Sequence, residues 1–155
     1  MNLSQVLPRL FVGSCPADAS DISRLKTEFG ITAILNFQTD DDLNCRDLDW
    51  PWCEAQCREL GIETHRVAIN DHDGGGLLEK LPDCVQSLDE LLSNGHTVYV
   101  HCNFGVSRSP TVVLAYLAWR LEWNLDDATE HVIRCRSCSP AIKAIVRAGQ
   151  DHVAA

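Results

Sequence analysis

A cysteine, an arginine and a serine lie close together in the segment HCNFGVSRSP, residues 101–110. Five residues separate Cys102 from Arg108. A cysteine thiolate is a strong nucleophile, and a planar guanidinium can bind two oxygens of one phosphate group. A loop of this length can wrap around a tetrahedral oxyanion and return the arginine to the sulfur. We therefore predict a site in which Cys102 attacks a phosphate that Arg108 holds.

The residues between Cys102 and Arg108 should bind the phosphate with their backbone N–H groups. Gly105 lets the chain turn so that these groups face inward. Ser109 is placed to donate a hydrogen bond to the sulfur as it leaves. We expect His101 to orient the loop from behind and not to act as the acid. The predicted phosphate-binding loop consists of Asn103, Phe104, Gly105, Val106 and Ser107.

The segments on either side of this loop favour the same chemistry. The β-prone run 96–102 precedes it, and an apolar helix is predicted to follow from Ser109. In open α/β sheets, ligands bind at the carboxyl ends of the strands. A helix N-terminus attracts anions, and together with a nearby arginine it favours the thiolate form of a cysteine. Cys102 is thus expected to be the nucleophile and to form a phosphocysteine intermediate.

Cleavage of a phosphate ester also needs a proton donor for the leaving oxygen. The segment Asn70-Asp71-His72-Asp73 follows another predicted strand, at 62–69, and should end at the same edge of the sheet. We predict Asp71 as the general acid, because it follows that strand directly. Asp73 is the alternative acid, and His72 is a third possibility. Once ionised, the same carboxylate can act as the base for the hydrolytic water.

Two other clusters could suggest a metal site. Cys53 and Cys57, with Cys135 and Cys138, could offer four thiolates to zinc, but packing of small apolar side chains against the core is the better interpretation. The three aspartates at 40–42 are interpreted as a solvated loop face, because no calcium-loop pattern surrounds them. We predict no metal and no cofactor.

Strand and helix patterns alternate along the chain and predict an α/β fold: one domain, residues 1–155, with a mostly parallel central sheet flanked by helices. Pro8 would remove a ladder hydrogen bond, so the first strand is predicted at an edge of the sheet. An irregular loop is predicted at 38–50. Strands are predicted at 6–14, 31–37, 62–69 and 96–102, and helices at 17–29, 51–60, 77–93, 109–123, 125–136 and 141–155.

Composition narrows the classes of partner. The 155 residues carry a formal net charge of -9, which disfavours binding to nucleic acid and to anionic membranes. The N-terminal residues lack the pattern of a signal peptide, and the eight cysteines are expected to be reduced thiols. We therefore expect a cytoplasmic protein. The oligomeric state is not predicted.

The motif HCNFGVSRS resembles the His-Cys-x5-Arg-Ser signature of the cysteine-based protein tyrosine phosphatases, and the extended form HCxxGxSRSPT is similar to their dual-specificity branch. The segments VLPRLFVGS, ITAILNF and RCRSCSPAIKAI also resemble that family. The resemblance implies a dual-specificity phosphatase fold, with Cys102 as nucleophile, Arg108 as phosphate clamp, Asp71 as acid and Ser109 as helper.

The flanking segments NFQTDDD and GHTVYVHCN are similar to laforin and the plant glucan phosphatases. The loop departs from that subgroup, which favours a small residue and a glycine where this chain has Phe104 and Ser107. The expected substrates are therefore phosphotyrosine and phosphoserine or phosphothreonine in proteins. The alternatives are a phosphoglucan or phosphoinositide substrate, and a phosphate-binding module without catalysis.

Overall fold

The computed structural model of the protein describes residues 1–70 and 74–154. Its centre is a five-stranded sheet in the order β1-β2-β5-β3-β4. Only β1 is antiparallel to its neighbour in this sheet; β2, β5, β3 and β4 pair in parallel. The strands are β1 (Leu3–Leu7), β2 (Leu10–Gly13), β3 (Ala33–Asn36), β4 (Glu63–Arg66) and β5 (Val98–His101).

Within residues 1–70 and 74–154, the chain forms seven helices. Four of them, α4 to α7, pack on one another on one face of the sheet, while α1 and α3 lie on the other. The helices are α1 (Ala19–Thr27), α2 (Asp40–Cys45), α3 (Trp50–Glu59), α4 (Gly74–Ser93), α5 (Arg108–Trp119), α6 (Leu125–Cys135) and α7 (Ile142–Ala154). This arrangement confirms the predicted α/β fold with its mostly parallel sheet.

The central strand β5 shows why the sheet is buried on both faces. Val98 and Val100 belong to the larger apolar core, on the side of α4 to α7. Tyr99 belongs to the smaller core, with residues of α1 and α3. Successive strand side chains point to opposite faces, so an unbroken apolar run is what such a strand requires. The chain leaves this strand at Cys102, at the carboxyl edge of the parallel strands.

Two predictions of local structure were wrong. The run 6–14 is not one strand, because a turn at Pro8 and Arg9 divides it into the antiparallel pair β1 and β2. Proline cannot donate a ladder hydrogen bond but fits a turn, and β2 then lies inside the sheet. The supposed loop at 38–50 contains α2, which starts at a capping box formed by Thr39 and Asp42.

The remaining elements differ from prediction mainly at their ends. Asn124 caps α6 as predicted, since its side-chain oxygen accepts hydrogen bonds from the N–H groups of Asp126 and Asp127. Helix α4 begins at Gly74, before the predicted start, and continues through Pro82. Helix α5 ends at Trp119, before the predicted end at 123.

Candidate active site

The predicted phosphate-binding loop connects β5 to α5. Cys102 begins it and is 3% exposed, with its Sγ 3.3 Å from the hydroxyl oxygen of Ser109. Gly105 has a φ of 68°, and a Cβ added there would lie 2.6 Å from the backbone of Gly13. This position therefore needs glycine both for its backbone angle and for the close approach of β2.

The backbone carbonyl groups of the loop all point outward, onto donors of the surrounding protein. The carbonyls of His101, Cys102 and Asn103 accept hydrogen bonds from Phe37 N–H, His101 Nδ1 and Cys15 N–H, respectively. The carbonyls of Phe104 and Gly105 accept from Arg136 Nη2 and Nε. The Val106 carbonyl accepts from Ser139 N–H, and the Ser107 carbonyl accepts from both the N–H and the hydroxyl of Thr111. Four of the six donor residues are distant in sequence from the carbonyls that they contact, namely Cys15, Phe37, Arg136 and Ser139. The tertiary structure, and not the loop alone, thus determines the loop's orientation.

The outward carbonyls determine where the N–H groups point. In a trans peptide group the C=O and the following N–H point in opposite directions, and no peptide bond in the described part of the chain is cis. The N–H groups of residues 103–108 therefore face the inside of the loop. Among the described residues, no backbone carbonyl accepts a hydrogen bond from the N–H groups of residues 103–107. A ring of inward N–H groups at a helix N-terminus can bind an anion such as phosphate.

Arg108 is held at the first position of α5 and is 1% exposed. Its Nη1 donates to the carbonyl oxygens of Phe37 and Ile69, at 3.3 and 2.8 Å. Phe37 follows β3, and Ile69 lies three residues beyond β4. Three chain segments thus meet at this guanidinium, as expected for residues at one edge of a parallel sheet.

Asp42 is a site residue that sequence reasoning missed. Its Oδ2 lies 2.7 Å from Arg108 Nη1, and its Oδ1 accepts a hydrogen bond from Asn103 Nδ2 at 2.8 Å. Burial opposes its ionisation, but hydrogen bonds from Arg108, the Thr39 backbone and Asn103 outweigh this effect and lower the pKa of Asp42 from 3.8 to about 2. The spacing of Thr39 and Asp42, typical of a capping box, was a sequence signal for a helix here.

His101 lies behind the loop in the direction of α1 and α3. Its ring is stacked on that of Tyr99, with centroids 5.5 Å apart, and its Nδ1 donates to the Cys102 carbonyl at 3.1 Å. Burial lowers the pKa of His101 from 6.5 to about 4; the hydrogen bond partly opposes this shift, and the charge of Arg108 adds to it. The imidazole is therefore neutral at pH 7 and carries its proton on Nδ1.

Phe104 is the most exposed large apolar side chain of the loop, at 64%. The guanidinium of Arg46 lies over its ring, 4.6 Å from the centroid, and Arg46 Nε donates to Asn103 Oδ1 at 3.1 Å. Gln38 donates to the same oxygen at 2.8 Å. At the outer surface of the loop, an aromatic ring and a cation are therefore held next to each other.

The predicted acids Asp71 and Asp73, and the third possibility His72, lie outside the described residues. The cysteine pairs that could suggest a metal site lie within the described residues. Cys57 is buried in the smaller core, as the packing interpretation predicts, whereas Cys53, Cys135 and Cys138 are only half-buried. All eight cysteines are free thiols. Within residues 1–70 and 74–154, no three His, Cys, Asp or Glu side chains are grouped as metal ligands. No helix in that same part of the chain is long and apolar enough to cross a bilayer.

Comparison with known proteins places this geometry in a family. Laforin of Mus musculus is 34% identical over 97% of this chain, and the chloroplastic phosphoglucan phosphatase LSF1 of Arabidopsis thaliana is 35% identical over 99%. Dual specificity protein phosphatase 9 of Homo sapiens is 32% identical over 86%. The chain spans only 49%, 26% and 31%, respectively, of the lengths of these three proteins.

The fold and the family follow from two further comparisons. The crystal structure of PTPMT1 superimposes with a TM-score of 0.80 at 22% identity, covering 99% of this chain and 97% of that one. The sequence model of the dual specificity phosphatase catalytic domain matches residues 10–145, a range that includes the loop, α2 and the end of α6. The chain therefore belongs to the dual-specificity phosphatase branch of the cysteine-based protein tyrosine phosphatases.

Proposed function

We propose that residues 1–155 form a catalytic domain that hydrolyses phosphomonoesters through a phosphocysteine intermediate. The observation that carries this proposal is the loop in which seven successive carbonyls are turned outward, so that N–H groups surround the space beside Cys102. Such a ring stabilises the charge of a phosphate and of the transition state that follows from it. The buried guanidinium of Arg108 adds a fixed positive charge to the same space.

In the proposed first step, the Cys102 thiolate attacks phosphorus and the bond from phosphorus to the ester oxygen breaks. The leaving oxygen takes a proton from the carboxylic acid of Asp71. In the second step the Asp71 carboxylate removes a proton from water, the water oxygen attacks phosphorus, and the S–P bond breaks. Ser109, 3.3 Å from the sulfur, donates a hydrogen bond to the departing thiolate. Inorganic phosphate leaves and the enzyme is restored.

The assignment of Asp71 is supported by the path of the chain that leads to it. The Ile69 carbonyl already contacts Arg108, and Asp71 is two residues further on. Asp71→Asn is expected to lower turnover of p-nitrophenyl phosphate by about 10²- to 10⁴-fold and to remove the basic limb of its pH profile. If Asp73→Asn has these effects and Asp71→Asn does not, the acid is Asp73.

We propose phosphotyrosine and phosphoserine or phosphothreonine in proteins as the substrates. The exposed apolar rim of Phe104 and Val106 supports this choice, since it offers contact to the hydrocarbon parts of a peptide. A phosphoglucan is the second candidate, because a phosphoglucan phosphatase matches nearly the whole chain. Release of phosphate from phosphopeptides, amylopectin and phosphoinositides, measured side by side, distinguishes these classes. We also propose a cytoplasmic location, which the eight free thiols support.

The decisive experiment compares the wild type with Cys102→Ser. The variant should lose turnover of p-nitrophenyl phosphate by on the order of 10⁴-fold or more, while still binding inorganic phosphate. Full residual activity would exclude Cys102 as the nucleophile. Binding of phosphate by a wild type that shows no turnover on any of these substrates would instead indicate a phosphate-binding module.

A further inference from the structure

Arg136 is the residue directly after α6, and its half-buried guanidinium lies against the outside of the phosphate-binding loop. Its Nε donates to the Gly105 carbonyl at 2.7 Å, and its Nη2 donates to the Phe104 carbonyl at 2.8 Å. Neither bond involves a side chain of the loop. The hydrogen bonds from Arg136 thus go to the loop's main chain, at the carbonyls of Phe104 and of Gly105, whose φ is positive.

These two hydrogen bonds determine the direction of two N–H groups. Because C=O and the next N–H of a trans peptide are opposed, holding the carbonyls of Phe104 and Gly105 outward directs the N–H groups of Gly105 and Val106 inward. The bonds also have a charged donor, which makes them stronger than bonds between neutral groups. Arg136 thus orients N–H groups in the middle of the loop sequence, between Cys102 and Arg108.

The other side of the guanidinium is bound to Asn2, just before β1, and to Ser4 in β1. Nη2 also donates to Asn2 Oδ1 at 2.6 Å, and Nη1 donates to Ser4 Oγ at 3.3 Å. All three nitrogens of the group are therefore used, in one plane and toward two different segments. A lysine ammonium is a single point of charge on a flexible stem and cannot reproduce this planar set of donors.

We propose that Arg136 is a positioning residue that aligns the N–H groups of Gly105 and Val106 with the bound phosphate. It acts through the loop's main chain and does not touch the substrate. This inference rests on the proposed function, because it assigns Arg136 a part in the same phosphate site. It also gives β1 a part in the site, as the attachment that keeps the guanidinium in place.

The first test replaces Arg136 with lysine and measures turnover of p-nitrophenyl phosphate together with inhibition by inorganic phosphate. Arg136→Lys keeps the positive charge but loses the planar donors, so kcat/KM should fall about 10- to 100-fold, as expected for a small misplacement of catalytic groups. The inhibition constant of phosphate should rise in parallel. The matched control is Arg134→Lys, two residues earlier on α6 with a side chain 70% exposed, which should stay within about twofold of the wild type.

A second variant distinguishes a loss of positioning from a simple loss of folding. Asn2→Ala combined with Ser4→Ala leaves Arg136 and the loop intact but removes the two side-chain acceptors at and just before β1. It should cause a smaller loss of kcat/KM than Arg136→Lys, in the same direction, at an unchanged Tm. Wild-type activity in a folded Arg136→Lys variant would overturn the inference. A variant with a lowered Tm, but with unchanged kcat/KM and phosphate inhibition at temperatures well below that Tm, would also overturn it.

The experiment also separates this inference from the proposed function. Binding of inorganic phosphate is measured by calorimetry in Cys102→Ser, with and without Arg136→Lys. If the wild type hydrolyses none of the tested phosphomonoesters, the proposed hydrolase activity fails, yet weaker phosphate binding on adding Arg136→Lys would still support the positioning role. Equal phosphate affinities of the two variants would reject that role whether or not the wild type is active.

Discussion

The phosphate-binding loop is supported differently on its two sides. On the side of α2, Asp42 and Arg46 contact side chains of the loop region: the guanidinium of Arg108, the amide of Asn103 and the ring of Phe104. On the opposite side, the contacts go to backbone carbonyls instead. They come from Arg136 and Ser139, between α6 and α7, and from Thr111 of α5, which also accepts a hydrogen bond from Ala141.

This difference separates two tasks within one site. On the α2 side, the Asp42 carboxylate orients the guanidinium of Arg108, so in the proposed mechanism that side should control how Arg108 contacts the phosphate. The donors on the other side orient peptide groups, so that side controls the ring of N–H groups. Substitutions on the two sides should therefore damage different steps, even though the side chains lie around the same loop.

Among Asp42, Thr111 and Phe104, which represent the two sides and the edge of the loop, the largest effect is expected from Asp42→Asn. The variant keeps the size of the side chain but loses the charge that holds Arg108, and kcat/KM for p-nitrophenyl phosphate should fall about 10- to 100-fold. The neighbouring Asp41→Asn is the control, because that side chain is exposed on the same helix. An equal loss in both variants would show that the charge of α2, and not the contact with Arg108, matters.

The same carboxylate should make stability depend on acid pH. Because the folded-state pKa of Asp42 is lowered from 3.8 to about 2, its ionised form stabilises the fold above about pH 4, and this contribution is lost as the pH falls from 4 to 2. Urea unfolding across this range should show a steeper loss of unfolding free energy in the wild type than in Asp42→Asn. Parallel curves would mean that the ion pair with Arg108 adds nothing to stability.

Thr111→Val tests the opposite side of the loop. The Thr111 hydroxyl is buried, donates to the Ser107 carbonyl at 2.7 Å and accepts from the Ala141 N–H at 2.8 Å. Its loss should cost about 1–3 kcal/mol of unfolding free energy, because the Ala141 N–H loses its partner. Phosphate inhibition should weaken with it, and Thr111→Ser should behave like the wild type. Weaker turnover with unchanged phosphate inhibition would contradict a separate task for this side.

The smallest effect is expected at the rim. Phe104→Ala removes the ring but leaves its backbone contact with Arg136, so it should lower kcat/KM for aryl phosphates by about 2- to 10-fold, which corresponds to one aromatic contact. Inhibition by inorganic phosphate should not change. The control is Val106→Ala, which shortens the other exposed apolar side chain of the rim. If both substitutions weaken phosphate inhibition equally, the rim supports the loop and does not select substrates.

Much of the fold could be predicted because its signals are local. The apolar run of β3, the β-prone run of β5 and the Asn124 cap of α6 each depend on residues next to one another in the chain. The errors arose where two local signals compete. Pro8 was interpreted as a mark of an edge strand although it lies in a turn, and the acidic run at 40–42 concealed a helix whose capping box was present in the sequence.

The sequence by itself determined the chemical groups of the site and their order: Cys102, five loop residues, Arg108 and Ser109, between a strand and a helix. Only the tertiary structure decided what holds them. Asp42 lies 66 residues before its partner Arg108, and Arg136 lies 31 residues after its partner Gly105. Their partners are a single guanidinium and two backbone carbonyls, and every residue has such a carbonyl. No pattern in a sequence marks which carboxylate will accept from Arg108 or which carbonyls will accept from Arg136, so these contacts become visible only when the sheet brings the segments together.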